Sequence, residues 1–142
     1  MKLVKESLNE VISFTRGKDT LSTLGIGQIN LIKEWLDKMH VEGYTINDDL
    51  TIDVKYGLDF IGIAEFPSFI KFNKVKGYFS CSYNDLTSLE GCPKIVSTTF
   101  DCSHNNLTSL KGCPKTVGQD FLCEDNKVEF TEEYVRSLCD VK

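Results

Sequence analysis

Phe79-Ser80-Cys81-Ser82-Tyr83-Asn84-Asp85-Leu86-Thr87-Ser88-Leu89-Glu90-Gly91-Cys92-Pro93-Lys94-Ile95-Val96 is followed, three residues later, by Phe100-Asp101-Cys102-Ser103-His104-Asn105-Asn106-Leu107-Thr108-Ser109-Leu110-Lys111-Gly112-Cys113-Pro114-Lys115-Thr116-Val117. The two stretches share the unit F-x-C-x-x-N-x-L-T-S-L-x-G-C-P-K-x-V at a period of 21 residues. A third copy keeps Phe121, Cys123 and Asn126, with Val128 in the column of Leu86 and Leu107. A fixed period of this length is the mark of a solenoid, in which each unit is one coil and equivalent side chains stack from coil to coil. Upstream, Leu58-Asp59-Phe60 stands 21 residues before Phe79-Ser80-Cys81 and is followed by Ile63, Phe66 and Pro67. That is a degenerate first coil, with Ile70, Phe72 and Val75 read as extra positions before the next one. The repeat therefore predicts about four coils.

Within a coil, Tyr78-Phe79-Ser80-Cys81-Ser82 alternates apolar and polar residues, which points Phe79 and Cys81 inward and Tyr78, Ser80 and Ser82 outward, as in a half-buried strand. Stacked coils would place such strands about 4.8 Å apart in a parallel sheet. Asn84, Asn105 and Asn126 then form a ladder. Their amides both donate and accept, so they can satisfy backbone groups that each turn would otherwise bury unpaired. Pro93 and Pro114 make the return segment extended, because 21 residues leave no room for a strand and a full helix.

The segment F-x-C-x-x-N-x-L resembles the L-x-L-x-x-N-x-L of leucine-rich repeats, with Phe79 and Cys81 in place of two leucines. Leu107-Thr108-Ser109-Leu110-Lys111-Gly112-Cys113-Pro114 is similar to the L-x-x-L-P-x-L-P of the short bacterial class, without its first proline. About half the chain is similar to small cysteine- and asparagine-containing repeat proteins encoded by tailed phages of gut bacteria. The resemblance implies an α+β fold: a short leucine-rich-repeat-like solenoid with one parallel sheet of about four coils over residues 57–130. It also implies a place in the cytoplasm of an infected bacterial host or on the virion.

The flanks read as closures. From Gly27 to Met39, Ile29, Ile32, Leu36 and Met39 share one helical face, with Lys33, Glu34, Asp37 and Lys38 opposite. Tyr44–Ile46 and Thr51–Val54 read as two short strands around an Asn47-Asp48-Asp49 turn. Helix and hairpin, residues 27–56, make an N-terminal cap. Residues 131–142 make a C-terminal capping helix, with Thr131 as N-cap, Glu132 and Glu133 in the first turn, and Tyr134, Val135, Leu138 and Cys139 facing the last coil. Residues 1–26 form an arm: a Leu3, Val4, Leu8, Val11, Ile12 helical pattern ends near Arg16-Gly17 and gives way to a loop-like Lys18-Asp19-Thr20. Phe14-Thr15-Arg16-Gly17-Lys18-Asp19 with Leu24-Gly25-Ile26-Gly27 also resembles a segment recurring in otherwise different gut-phage proteins. The arm reads either as a portable docking element or as a helix packed on the cap.

Composition narrows the function. The 142 residues are 41% hydrophobic and 26% charged, with 10 glycines and 3 prolines, which excludes a disordered or collagen-like chain. Asp and Glu number 21 against 16 Lys and Arg, a net charge of -5, and no window is predominantly basic, so neither nucleic acid nor a membrane surface is an expected partner. No apolar run approaches the roughly 18 residues of a membrane span. Asn9 and Glu10 break the would-be h-region of a signal peptide, which leads to the expectation of a reducing compartment and free cysteines.

Six cysteines invite a metal reading, yet there is no C-x-x-C, and the spacing from Cys81 to Cys92 fits no usual zinc site. Cys81, Cys102 and Cys123 share the period of the phenylalanines and read as small buried hydrophobes. No metal and no cofactor are expected. A Cys102–His104 nucleophilic pair fails on direction, since the two side chains should leave the strand on opposite faces. His40 stands alone at a helix end, and Asn106-Leu107-Thr108, a glycosylation sequon in form, is part of the repeat. No catalytic residues are assigned.

The inward columns barely vary from coil to coil, whereas the outward ones do. They read Tyr78, Thr99, Asp120; then Asp59, Ser80, Asp101, Leu122; then Ile61, Ser82, Ser103, Glu124; then Tyr83, His104, Asp125. Variation confined to the concave face describes either a recognition surface, aromatic near one end and acidic near the other, or a solvated face free to drift. The first reading makes Tyr78, Ser80, Ser82, Tyr83, Thr99, Asp101, Ser103, His104, Asp120, Leu122, Glu124 and Asp125 the residues that bind a protein partner, without catalysis. An enzyme using that face as a cleft and an acidic mimic of nucleic acid are the alternatives.

Overall fold

The structure, a computed structural model, describes residues 19–142. The helical pattern between Leu3 and Ile12 lies outside the described residues. The first described element is a helix, α1 (Asp19–Lys38), which forms a compact unit ending at His40, while Val41–Lys142 form a second. The helix thus reaches further toward the N-terminus than the Gly27 expected from its apolar stripe, and Asp19-Thr20, expected as a loop, is helical. The reason is chemical: the Asp and Thr that look loop-like are the residue types a helix N-terminus favours, and Gly25 and Gly27 weaken a helix by only about 1 kcal/mol each. Ile26, Ile32 and Leu36 are buried along one face. The helix ends where His40 turns left-handed at φ 58°, after its N–H has bonded to the Asp37 carbonyl at 3.1 Å.

In the second unit ten short strands build two sheets. β1 (Tyr44–Ile46) and β2 (Ile52–Val54) form the expected antiparallel hairpin, Tyr44 opposite Val54. The turn is tied by Thr51, which bonds Asp49 through both its N–H (3.0 Å) and its hydroxyl (2.6 Å). Thereafter the chain alternates between sheets. β3 (Leu58–Asp59), β5 (Phe79–Ser80), β7 (Phe100–Asp101) and β9 (Phe121–Leu122) make a four-stranded parallel sheet. β4 (Phe72–Val75), β6 (Ile95–Val96), β8 (Thr116–Val117) and β10 (Asp140–Val141) join the hairpin in a six-stranded sheet. The protein is a β-solenoid of about four turns, with a short helix, α2 (Glu132–Leu138), near its C-terminal end.

The register follows the repeat. Leu58 pairs with Phe79, Phe79 with Phe100 and Phe100 with Phe121; across the coil, Val54 pairs with Val75, Val75 with Val96 and Val96 with Val117. The degenerate first coil is therefore a full coil in register. The extra positions expected at Ile70, Phe72 and Val75 reduce to one irregularity between Ile52 and Asp53. Its interior differs because Phe60 fills the column that Cys81 and Cys102 fill below, and its ring meets Phe66 at 5.3 Å, Phe79 at 5.6 Å and Phe72 at 5.8 Å between centroids.

Two features depart from a one-sheet solenoid. The return segments after Pro93 and Pro114 are extended as expected, but they also pair: Ser97 donates to the Val75 carbonyl at 3.0 Å and Gly118 to that of Val96 at 2.9 Å. A second sheet results. At the C-terminus, Thr131 caps α2 as expected, its hydroxyl accepting from the Tyr134 N–H at 3.1 Å. The chain then leaves the helix at Cys139 and lays β10 beside β8, where Asp140 donates to Lys115 at 2.8 Å. Residues 131–142 are thus a helix plus a strand, since the last carbonyls and amides of β8 need partners that a helix cannot supply.

All six cysteines are free thiols; five are buried and Cys123 is half-buried. Burial pushes the thiols of Cys92 and Cys102 far up, and that of Cys139 up to about 11. One slowly reacting thiol, Cys123, is therefore expected in the folded protein, with the other five reacting only on unfolding and a melting temperature indifferent to reductant. Titration with an aromatic disulfide before and after urea checks this; several fast thiols in the native state would contradict the stacked interior.

Candidate functional site

The outward face of the four-stranded sheet carries the residues that vary from coil to coil. Each coil enters it through an inward Phe and an inward Cys, then turns. At the turn the asparagine ladder does what its chemistry allows. The Asn105 side chain accepts the Leu86 N–H at 3.0 Å and donates to the carbonyls of Cys81, Cys102 and Ser103 at 2.9, 3.1 and 3.2 Å. Asn84 repeats the pattern one coil earlier, accepting from Ile63 and donating to Phe60, Cys81 and Ser82. Asn126 repeats it one coil later, accepting from Leu107 and donating to Cys102, Cys123 and Glu124. Every ladder amide thus bridges its own coil to the one before.

The residue just before each asparagine is forced left-handed by this turn: Tyr83, His104 and Asp125 have φ of 56°, 55° and 52°. Their backbones still continue the ladder, Tyr83 N–H reaching Ser103 at 3.1 Å and His104 N–H reaching Glu124 at 2.9 Å. The three side chains consequently line up on adjacent coils. The rings of Tyr83 and His104 stack at 4.1 Å with only 13° between their planes, and His104 Nδ1 lies 3.3 Å from an Asp125 carboxylate oxygen. Tyr83 remains 73% exposed. Left-handed backbone is easy for Gly and Asn and costs a bulky residue about 1 kcal/mol or more. A tyrosine there is a strained position of the kind that concentrates at functional sites, whereas His104 and Asp125 are of types that enter this region more readily.

The other outward residues divide. Tyr78 is about half exposed, with its ring over Gly57 of the preceding coil, and Asp120 and Glu124 are exposed. Thr99, Asp101 and Leu122 are half-buried. Ser80 and Ser82 engage each other, hydroxyl to hydroxyl, at 3.0 Å. Ser103 departs from the expectation of an accessible contact residue: it is 4% exposed, and both its N–H, at 3.0 Å, and its hydroxyl bond the Asp101 carboxylate. A short hydroxyl two residues after an acceptor folds back onto it instead of facing solvent.

Cys102 and His104 do not form a nucleophilic pair, since Cys102 is fully buried with its thiol far up, whereas a nucleophile needs an accessible thiolate. Among the described residues no group of three His, Cys, Asp or Glu side chains is placed to hold a metal ion, and no helix is long and apolar enough to cross a membrane. What the site offers is an aromatic pair continued by carboxylates, on a rigid ladder. The sequence columns found its members; they gave no sign of the left-handed strain, which comes from the asparagine turn. Comparison of the chain with protein-family models, with curated proteins and with solved structures finds no match.

Proposed function

We propose that this chain is a leucine-rich-repeat-like protein interaction module, phage-encoded and non-catalytic, which binds a protein of the infected bacterial host or of the virion through the outward face of its four-stranded sheet. The observation that carries the reading is the Tyr83–His104–Asp125 column. Two aromatic rings are already stacked at 4.1 Å, one of them largely exposed, so a partner can cover them with little loss of side-chain freedom. The left-handed backbone supports the same reading at Tyr83, because Gly or Asn would suit φ 56° better than the tyrosine found there.

Tyr83→Ala is expected to weaken partner binding by about 2 kcal/mol, a size typical of a central aromatic anchor. Folding should hardly change, because the ring is 73% exposed and alanine keeps the same Cβ at φ 56°. Lys111→Ala, exposed on the loop between the two sheets, is the matched control. Affinity measured for both variants alongside their urea melts checks the proposal; equal binding by Tyr83→Ala and the native chain would remove the column from the interface.

A further inference from the structure

Among the described residues both sheets end on an edge strand at the C-terminal side of the solenoid, β10 in the six-stranded sheet and β9 in the four-stranded one. In each earlier coil the N–H groups of the inward Phe and Cys donate to the next coil: Phe79 to Thr99, Cys81 to Asp101, Phe100 to Asp120 and Cys102 to Leu122, all at 2.8 to 2.9 Å. The equivalent groups of Phe121 and Cys123 have no such acceptor among the described residues. The side chains tell the same story. Phe79, Phe100, Cys81 and Cys102 are fully buried, whereas Phe121 and Cys123 at the foot of the same columns are half-exposed. Beside them lies a cavity of about 460 Å³, walled by Phe121, Cys123, Phe130 and Val135.

The rim of this opening is acidic. Asp120 and Glu124 line it as exposed carboxylates, while the two cations that line it, Arg136 and Lys142, are engaged by Glu132 at 3.1 Å and Asp140 at 2.8 Å. An unpaired strand edge is a template for another strand, with backbone bonds supplying affinity and alternate side chains supplying selectivity. The outward column of that edge, Asp120, Leu122 and Glu124, would meet one set of side chains of an added strand; the uncovered Phe121 and Cys123 would meet the other.

We propose that the β9 edge binds an extended segment of a partner protein in which apolar and basic residues alternate, apolar side chains covering Phe121 and Cys123 and basic ones facing the carboxylates. The segment becomes one more strand of the four-stranded sheet. This binding site is an edge: it shares Asp120, Leu122 and Glu124 with the outward face but takes its affinity from the backbone of β9 and from Phe121 and Cys123, not from the Tyr83–His104 pair. A second copy of the chain fits less well, because it would bring a like-charged rim against this one.

The probe is the blocked peptide Lys-Val-Lys-Phe-Lys-Val-Lys, titrated into the full chain. Amide hydrogen exchange of Phe121 and Cys123 should slow by about tenfold or more at saturation, as expected of newly paired edge groups. Replacing the peptide's lysines by glutamates should weaken binding by at least about tenfold, and added salt should weaken the lysine peptide. N-methylation of alternate peptide nitrogens should abolish binding in one phase and spare it in the other, because an edge strand bonds through only every second residue. These peptide changes leave the protein untouched, so folding defects do not enter. Unchanged exchange at Phe121 and Cys123, equal loss in both methylation phases, or equal binding of the glutamate peptide would overturn the proposal. So would sedimentation showing that the chain alone dimerises with protection of the same two amides.

Discussion

Asn105→Ala is expected to destabilise the solenoid by about 3 kcal/mol. Asn105 is 6% exposed in a central coil, and its removal strands the Leu86 N–H and deprives the Cys81 carbonyl of a donor inside the stack. A buried group left without a partner costs about 1–3 kcal/mol; the Leu86 N–H is such a group, while the Cys81 carbonyl keeps its bond from Asn84 at 2.9 Å and loses only the bridge between coils. Asn126→Ala should cost about 1 kcal/mol, because its bonds to Leu107 and Cys102 are only partly buried and solvent can take them over. Urea melts of the two variants measure the difference. Equal and negligible shifts would mean that the asparagines do not hold the coils together.

Gly112→Ala should be at least as damaging, at about 3 kcal/mol or more. Gly112 sits at φ +93°, and a Cβ there would lie 2.6 Å from the Leu89 carbonyl carbon and 2.7 Å from its oxygen. Those atoms are backbone of the preceding coil, so they cannot swing away as a flexible side chain would. Gly62 supplies the control. It is also left-handed, at φ +75°, but a Cβ meets nothing within 4 Å, so Gly62→Ala should lose only the backbone term of about 1 kcal/mol. Thermal or urea unfolding of the pair separates close approach of two coils from left-handed strain. Similar losses in both would contradict the contact.

Much of the architecture was legible in the residues because it repeats. A 21-residue period fixes which side chains stack, and the observed pairings of Phe79 with Phe100 and Val96 with Val117 follow from it directly. The asparagine bridges were legible for a different reason: only a side chain that both donates and accepts can close such a turn. The second sheet was not, because its strands are two residues long at Ile95–Val96 and Thr116–Val117, too short for any alternation to show. β10 was hidden behind the helix signal of Thr131, Glu132 and Glu133, since pairing with β8 is a demand set by the neighbouring coil and leaves no local trace in Asp140-Val141. The helical state of Asp19 and Thr20 was obscured because these residue types suit a loop as well as a helix end.

The candidate site was legible as a set of columns, and only partly as a surface. Tyr83, His104 and Asp125 do stand on adjacent coils, one ring on the other and the carboxylate beside the imidazole. Ser103 does not belong to an accessible face, because its hydroxyl is consumed by Asp101. The open edge at Phe121 escaped notice for the same reason as β10: a strand's missing neighbour is a property of the stack and not of its sequence.

The most direct measurement is affinity capture from phage-infected cells with three baits of equal expression: the native chain, the triple variant Tyr83→Ala/His104→Ala/Asp125→Ala, and a chain lacking residues 1–26. Circular dichroism of each purified bait verifies that the solenoid is intact. A protein retained by the native chain and by the truncated one, and lost from the triple variant, is the result predicted. A protein retained by the triple variant and lost on removal of residues 1–26 would contradict the account, placing recognition in the N-terminal arm with the solenoid as its carrier.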